Sequence, residues 1–275
     1  MPWSDAPAFT VVLVVALLAL VVVPLAQMLG DGAGAQHGLE PLLELVAVLL
    51  GLLVVSVSLH ALEAQEQARA NVLVVGFGVA AACNFLHGVL VHSGPVHMPP
   101  GSADMSLWLS SWARVAEALT LGLTATRLSA PGPARAWLAA AGGVTLVLAG
   151  SALGPLPQWF AHAADGALRQ VVAVGLALAL AASAVLLYRR SRSEEAPRER
   201  LFAWAAGAFV CGEVTVGALG GHSTLGGVLS HGFRVVAYAL LYQAVFDAGI
   251  RRPFARIQEA ESRLRESEGR LSLLG

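Results

Sequence analysis

The histidines are the residues whose placement most directly suggests chemistry, because neutral imidazole is a common metal ligand and changes charge near physiological pH. The chain of 275 residues contains eight of them. Seven lie toward one side of the membrane arrangement predicted below, and only His60 lies toward the other. Five of the seven fall in or beside loops, and these are His37, His92, His97, His162 and His222. This one-sided distribution is what an outward-facing metal, haem or proton-sensing site requires.

The five loop histidines differ in how strongly they suggest a site. His37 and His162 are interpreted as ordinary polar loop residues. For His92, His97 and His222, metal ligation and a purely solvated role are equally compatible with the sequence. These three therefore stay candidate metal ligands.

His87 and His231 fall inside apolar stretches. A polar ring below the membrane interface needs a partner or a function. The two residues are predicted to lie at similar depth on two helices, where they could face each other across a shared ligand. Candidate cofactors are haem or a transition-metal ion such as copper or zinc, and the sequence leaves the choice open.

Ionisable residues inside other apolar stretches accompany these two histidines. Arg114 and Glu117 share a helix face because they are three residues apart, and Arg234 shares one with Tyr238, four residues on. Glu213 lies in a further stretch. A charge at the bilayer centre costs about 3 kcal/mol even on the mild insertion scale.

Two interpretations of these charges stay open. One is a set of structural ion pairs, joining Arg114 to Glu213 and Glu117 to Arg234. The other is a polar ligand-binding pocket open to the outside. The pocket is favoured because the two intramembrane histidines accompany the charges.

Composition shows what kind of element must position these residues. Hydrophobic residues make up 56% of the chain and charged residues only 13%, with a net charge of −1. Soluble domains carry about 25% charged residues, so a soluble enzyme and a disordered region are both excluded. There is no basic excess that would bind nucleic acid. The partner that the composition requires is the lipid bilayer.

Apolar runs of about 20 residues cross a bilayer as helices, and eight such runs are predicted here. The first run lacks the basic leader of a signal peptide and is long enough to span, so it is kept as a helix. The predicted spans are Phe9–Met28, Pro41–Leu62, Asn71–Ser93, Ser106–Ala125, Arg135–Leu153, Gln170–Tyr188, Leu201–Gly220 and Val228–Ile250. The predicted fold class is an all-α integral membrane protein.

Arginine placement orients the predicted helices, because cytoplasmic loops are enriched in basic residues. One set of connections carries eleven arginines and the other carries Arg169 alone. The eleven are Arg69, Arg127, Arg135, Arg189, Arg190, Arg192, Arg198, Arg200, Arg251, Arg252 and Arg256. Both termini are therefore predicted to be cytoplasmic.

The segment after the last predicted span has a different pattern. From Phe254 it is charged and helix-favouring, with a heptad seam typical of a parallel two-stranded coiled coil. The seam consists of Ile257, Ala260, Leu264, Ser267, Leu271 and Leu274. The alternative is a solvated amphipathic tail. We divide the chain into a transmembrane sensor domain, residues 1–252, and a cytoplasmic linker, residues 253–275, that is expected to dimerise and to lead to an output domain outside this sequence.

No catalytic motif accompanies these features. The sequence contains no Gly-rich phosphate loop and no HExxH, CxxC or GxSxG pattern. We therefore predict that this part of the protein is not an enzyme and has no catalytic residues.

The chain resembles the third class of the membrane-associated sensor domains abbreviated MASE, from about Leu42 to its end. The residues that carry the resemblance are Leu86, His87, Ala113, Arg114, Glu117, Leu119, Glu213, His231, Tyr242, Ala244, Gly249, Arg252 and Pro253. Two lysines of the family pattern are replaced by Arg234 and Gln243. Residues 91–94, Val-His-Ser-Gly, stand where the family has Tyr-Lys-Gly-Met, so a different outer ligand is expected here.

The resemblance implies a bacterial or archaeal module of the cytoplasmic membrane that feeds PAS, histidine-kinase or diguanylate-cyclase domains. Residues 265–271 look like the helical lead-in to a PAS domain. The resemblance does not identify the ligand.

We therefore predict a dimeric sensory input domain that binds a metal, haem, a quinone-like lipid or a small anion in an outer-side pocket. The pocket residues are His87, Arg114, Glu117, Glu213, His231, Arg234 and Tyr238. The signal would pass through Arg252, Pro253, Ile257, Leu264 and Leu271. Two other functions stay open: a haem-binding electron-transfer protein with His87 and His231 as axial ligands, and a transporter or channel that uses the same pocket.

Overall fold

The structure is a computed structural model, and it describes seven stretches of the chain. They are residues 33–60, 67–92, 102–127, 132–153, 167–193, 197–219 and 224–272. Several predicted residues lie outside the described residues, or their side chains do, and these are Phe9–Met28, His37, His92, His97, His162, His222, Leu264 and Leu271. The roles of His92, His97 and His222 as metal ligands therefore stay predictions.

The described residues are almost entirely helical, as expected where lipid cannot hydrogen-bond the backbone. The helices are α1 (Ala33–His60), α2 (Gln67–His92), α3 (Ser102–Thr126), α4 (Ala134–Ala152), α5 (Ala167–Ser193), α6 (Pro197–Leu219) and α7 (Thr224–Phe246). They correspond to predicted spans two to eight. Most extend several residues beyond the predicted limits, because hydropathy registers only the apolar part of a helix.

The last span continues without interruption into the segment that follows it. A π-helical turn, Asp247–Arg251, joins α7 to α8 (Arg252–Ser272). Among the described elements, α8 contacts chiefly this turn. Its residues 254–263 are exposed, so it extends away from the other helices.

Four of the described helices are long and apolar enough to cross a membrane, which makes the chain a multi-pass, all-α membrane protein. These spans are Leu39–His60, Ala68–Val91, Gln170–Arg192 and the apolar part of Leu225–Arg263. The apolar part of α4, Ala136–Ala152, is shorter. Helices α3 and α6 carry charged residues in their interiors, which lower their apolar character.

Six of these helices form a closed ring, and α4 lies outside it. Around the ring, α1 contacts α2, α2 contacts α3, α3 contacts α5, α5 contacts α6, α6 contacts α7 and α7 contacts α1. Helix α4 packs mainly on α2. The interior contains aromatic side chains from three helices, Phe77, Phe202, Phe209 and Tyr238, whereas α4 and α5 expose Leu146, Val147 and Val171. Exposed apolar faces of this kind suit contact with lipid.

The arginine-rich ends of the helices are tied together by polar contacts. Arg69 at the start of α2 lies 2.6 Å from Glu199 at the start of α6, and its guanidinium also lies over the ring of Phe202. The amide of Asn71 donates to the carbonyl of Gly132, at 3.0 Å. The arginines that orient the chain therefore include some that also join helices.

Helices α2 and α3 approach closely where Gly76 faces Thr120. A Cβ atom on Gly76 would overlap the side chain of Thr120. That side chain is held in place because its hydroxyl donates to the carbonyl of Ala116, at 2.6 Å. Small residues at helix contacts allow this close backbone approach in membranes.

We expect Gly76→Ala to destabilise the protein by about 1–3 kcal/mol, the usual cost of overpacking. The measurement is the thermal unfolding midpoint, Tm, of the purified protein in detergent. Gly78→Ala is the matched control on the same helix, since its Cβ would meet that of Ala141 at an ordinary 3.5 Å. Equal Tm values for the two variants would contradict the close contact of α2 with α3.

Candidate functional site

Arg234 on α7 is the centre of a buried polar cluster. The residue is 4% exposed. One guanidinium nitrogen donates to Glu213 Oε1 on α6 at 3.4 Å, and the other donates to Asn84 Oδ1 on α2 at 3.3 Å. The cation also lies 4.0 Å from Glu117 Oε2 on α3. One side chain thus connects four helices.

Glu117 is held by neutral donors as well as by this cation. The hydroxyl of Tyr238 donates to Glu117 Oε1 at 2.8 Å, and the amide of Asn84 approaches the same oxygen at 3.4 Å. The Tyr238 ring makes T-shaped contacts with the rings of Phe77 and Phe209, with centroid distances of 5.7 and 5.5 Å. Ring packing therefore orients the hydroxyl toward the carboxylate.

Arg114 completes the cluster from α3. It donates to Glu213 Oε2 at 3.1 Å, so Glu213 lies between two arginines. The predicted pair of Arg114 with Glu213 is confirmed, and the predicted pair of Glu117 with Arg234 is present but longer. Two arginines and two glutamates balance in charge, which reduces the cost of removing each from water.

His87 on α2 has polar neighbours on two helices. Its Nδ1 lies 2.7 Å from Ser106 Oγ and 3.0 Å from the Ser106 carbonyl oxygen on α3. Nδ1 donates to the carbonyl in one tautomer of the ring and accepts from the Ser106 hydroxyl in the other. Nε2 lies 3.6 Å from Glu44 Oε1 on α1. In the tautomer that leaves Nε2 without a hydrogen, His87 and Glu44 are favoured as neighbours when one of them carries a further proton.

His231 on α7 has a glutamate of α1 beside it too. Its Nε2 lies 3.5 Å from Glu40 Oε1. Glycines provide the space for both glutamates: a Cβ on Gly227 would lie 2.6 Å from Glu40 Oε1, and one on Gly88 would lie 3.2 Å from the Glu44 carboxyl carbon. Helix α1 thus presents one carboxylate to α7 and one to α2.

The structure places His87 and His231 each beside a glutamate of α1, and the arrangement in which they face each other across a shared ligand stays a prediction. Within the described residues, no group of three or more histidine, cysteine, aspartate or glutamate side chains could hold a metal ion. Cys83 is buried in an apolar cluster with Val79 and Leu109, where it packs as a small apolar residue.

Sequence reasoning missed four members of the site, Glu40, Glu44, Asn84 and Ser106. A signal for the glutamates was present, since they are four residues apart at the outer end of an apolar run and therefore share a face. Asn84 and Ser106 gave no comparable signal. Their importance depends on which residues of other helices lie opposite.

Two cavities lie beside the bundle at different places. One, of about 300 Å³, lies between α1 and α2 and is lined by Glu44 and Asn84 together with apolar side chains. The other, of about 420 Å³, lies between α2, α3 and α4 and is lined almost wholly by apolar groups such as Val75, Trp112 and Leu148. The first cavity adjoins the polar cluster.

Comparison with protein families identifies the kind of module that this bundle represents. Residues 36–253 match the profile of MASE3, described as a membrane-associated sensor domain. The chain belongs to the MASE3 family. This part of the chain is therefore a sensory membrane module, which confirms the resemblance found in the sequence. Comparisons with curated proteins and with solved structures find no match.

We expect Tyr238→Phe to destabilise the MASE3 module by about 1–3 kcal/mol, because it removes a buried hydrogen bond to a carboxylate. Tyr242→Phe, one turn further along α7, is the matched control, since Tyr242 is only half-buried. The measurement is Tm in detergent. A loss at Tyr238 no larger than that at Tyr242 would mean that the hydroxyl of Tyr238 does not support Glu117.

Proposed function

We propose that this MASE3 module is a membrane-integral input domain that binds a ligand in an outer-side intramembrane pocket and relays binding through α7 to a cytoplasmic output. The proposed pocket residues are His87, Arg114, Glu117, Glu213, His231, Arg234 and Tyr238. The observation that carries the proposal is the convergence of the buried cluster on α7, the helix that continues into α8.

The full arrangement that we propose has eight spans and both termini in the cytoplasm. Besides the four apolar spans, α3 and α6 would cross the membrane because their charged side chains, Arg114, Glu117 and Glu213, face the bundle interior and are paired there. Polar groups so placed do not meet lipid. Helix α4 and the predicted span Phe9–Met28 complete the count. The proposed location is the cytoplasmic membrane of a bacterium or archaeon.

The binding signal would reach α7 because the ligand competes with Arg234 for its buried glutamate partners. A ligand that draws Glu213 or Glu117 away from Arg234 leaves a buried cation that must find new partners, and α7 carries that cation. Such a ligand changes the position of α7 only if it binds more tightly to the protein with α7 in one position than in the other. The π-helical turn Asp247–Arg251 lies on the route, and turns of this kind are frequent at functional sites.

Beyond this turn, α8 is the proposed dimerisation and connecting element. Phe254 and Ile257 are 61% and 56% exposed on an otherwise charged helix, as expected for a surface that a second copy covers in a coiled coil. The relay residues Arg252, Pro253, Ile257, Leu264 and Leu271 would pass the movement to a PAS, histidine-kinase or diguanylate-cyclase domain. The bundle itself would carry no catalytic activity.

We expect His87→Ala and His231→Ala each to reduce ligand response at least several-fold, because each removes a ring that lies beside the buried cluster. The readout is output activity in the signalling protein that carries the module, with Tm of each variant as a check on folding. His60→Ala, at the opposite end of α1 and exposed, is the control. Unchanged binding and unchanged output in both variants would refute the proposed pocket.

An absorption spectrum with elemental analysis of the same sample separates the ligand classes. A Soret band, or stoichiometric copper or zinc that is lost in His87→Ala, assigns a haem or metal ligand. A colourless, metal-free protein leaves a quinone-like lipid or a small anion as the ligand, and the histidines as polar neighbours of the charged cluster.

We expect a single alanine inserted after Pro253 to uncouple binding from output, because it rotates the following seam by about 100°. An inserted heptad restores the seam and should restore most of the response. Ligand affinity should stay unchanged in both variants. If output responds equally with the one-residue and the heptad insertion, α8 does not relay through its helical phase.

A further inference from the structure

The cavity between α1 and α2 opens where lipid would lie. Leu45, Phe85 and Val89 line it and are 49%, 53% and 43% exposed. Both helices are long and apolar enough to span a membrane, so side chains exposed at this level face hydrocarbon rather than water. The opening is therefore lateral, toward the bilayer.

The inner end of this cavity is polar, in contrast to its rim. Glu44 and Asn84 line it, and each residue is 5% exposed. The Asn84 amide already approaches Glu117 and accepts from Arg234. The Glu44 carboxyl group has two oxygens with several acceptor positions. The Glu44 carboxyl oxygens therefore offer the cavity acceptor positions for a hydrogen-bond donor.

From this combination, we infer that the cavity between α1 and α2 admits a lipid-soluble molecule from the bilayer, and that a hydroxyl group on its apolar body donates to Glu44. This inference rests on the proposed sensory function and narrows its ligand from four chemical classes to one. A volume of about 300 Å³ is at the lower limit of small-molecule sites. It fits one ring with its hydroxyl group, while an attached chain stays in the bilayer.

The position of Gly88 agrees with this use of the cavity. A Cβ atom there would lie 3.2–3.3 Å from the carboxyl atoms of Glu44, so the absence of a side chain leaves room around the carboxyl group. His87, the preceding residue, also approaches this carboxyl group, with Nε2 3.6 Å from Glu44 Oε1. A donor arriving from the bilayer would change the neighbours of Glu44 directly.

The inner end of the cavity is also connected to the relay helix. Asn84 bridges to Arg234 on α7 and to Glu117 on α3. A head group that shifts Asn84 therefore acts on Arg234 of α7 through that one residue. The larger cavity beside α4 lacks a charged lining residue, so it offers no comparable recognition of a polar head.

The test measures binding of three probes to the full chain in lipid nanodiscs: decylbenzoquinol, its oxidised form decylbenzoquinone, and decylbenzene. Dissociation constants come from ligand-dependent shifts in Tm. We expect the quinol to bind at least about tenfold more tightly than the other two, the value of one hydrogen bond to a charged group. Equal binding of the quinone would overturn the donor requirement, and equal binding of decylbenzene would overturn recognition by Glu44.

Three variants locate the binding. Leu45→Trp places bulk in the opening, while Leu52→Trp is its matched control on the same helix, 50% exposed and outside the cavity lining. We expect quinol binding to be lost in Leu45→Trp and retained in Leu52→Trp.

The third variant, Glu44→Gln, tests the carboxyl group itself. We expect it to weaken quinol binding about tenfold, and its Tm without ligand serves as the check that the variant folds. Unchanged quinol affinity in Leu45→Trp or in Glu44→Gln would overturn the lateral site.

Output activity distinguishes this inference from the proposed function. If His87→Ala abolishes the ligand response and Leu45→Trp leaves it unchanged, the proposed sensory pocket is supported and entry through the lateral opening is refuted. If the quinol binds through the opening but the output activity does not change, the binding site is supported and its sensory role is refuted.

Discussion

Compensation of the buried charge on Arg234 is the constraint on which the rest of the bundle depends. A guanidinium in an apolar interior is tolerated only when acceptors surround it, because neither lipid nor packed side chains can replace water. Glu213, Glu117 and Asn84 provide those acceptors from α6, α3 and α2. One side chain on α7 therefore determines which helices must meet and at what level.

The same compensation makes the cluster suitable for sensing. Arg114 also bonds to Glu213, so the two cations share one carboxylate and neither can lose it without consequence for the other. Tyr238 and Asn84 both approach Glu117, so a disturbance at one partner reaches the rest. In a packed interior such changes produce discrete rearrangements more readily than gradual deformation. In the proposed relay, a movement of α7 would pass along the continuous helix into α8.

Helix α1 adds a second level of polarity between the cluster and the lipid. Glu40 and Glu44 lie beside His231 and His87 on opposite neighbours of α1, and glycines on those neighbours leave the space that the carboxyl groups occupy. Under the proposed lateral entry, this arrangement would place Glu44 within reach of a molecule dissolved in lipid.

The sequence by itself determined the class of the protein and the membership of the charged cluster. Apolar runs, arginine placement and the positions of Arg114, Glu117, Glu213 and Arg234 are local properties, and a buried charge must find a partner wherever the helices pack. Only the tertiary structure decided which partners meet. That Arg234 lies closer to Glu213 than to Glu117, and that His87 and His231 each lie beside a glutamate of α1, depends on the relative rotation and depth of separate helices. Hydropathy and residue spacing within one helix carry no information about how that helix is rotated, or how deep it lies, relative to its neighbours.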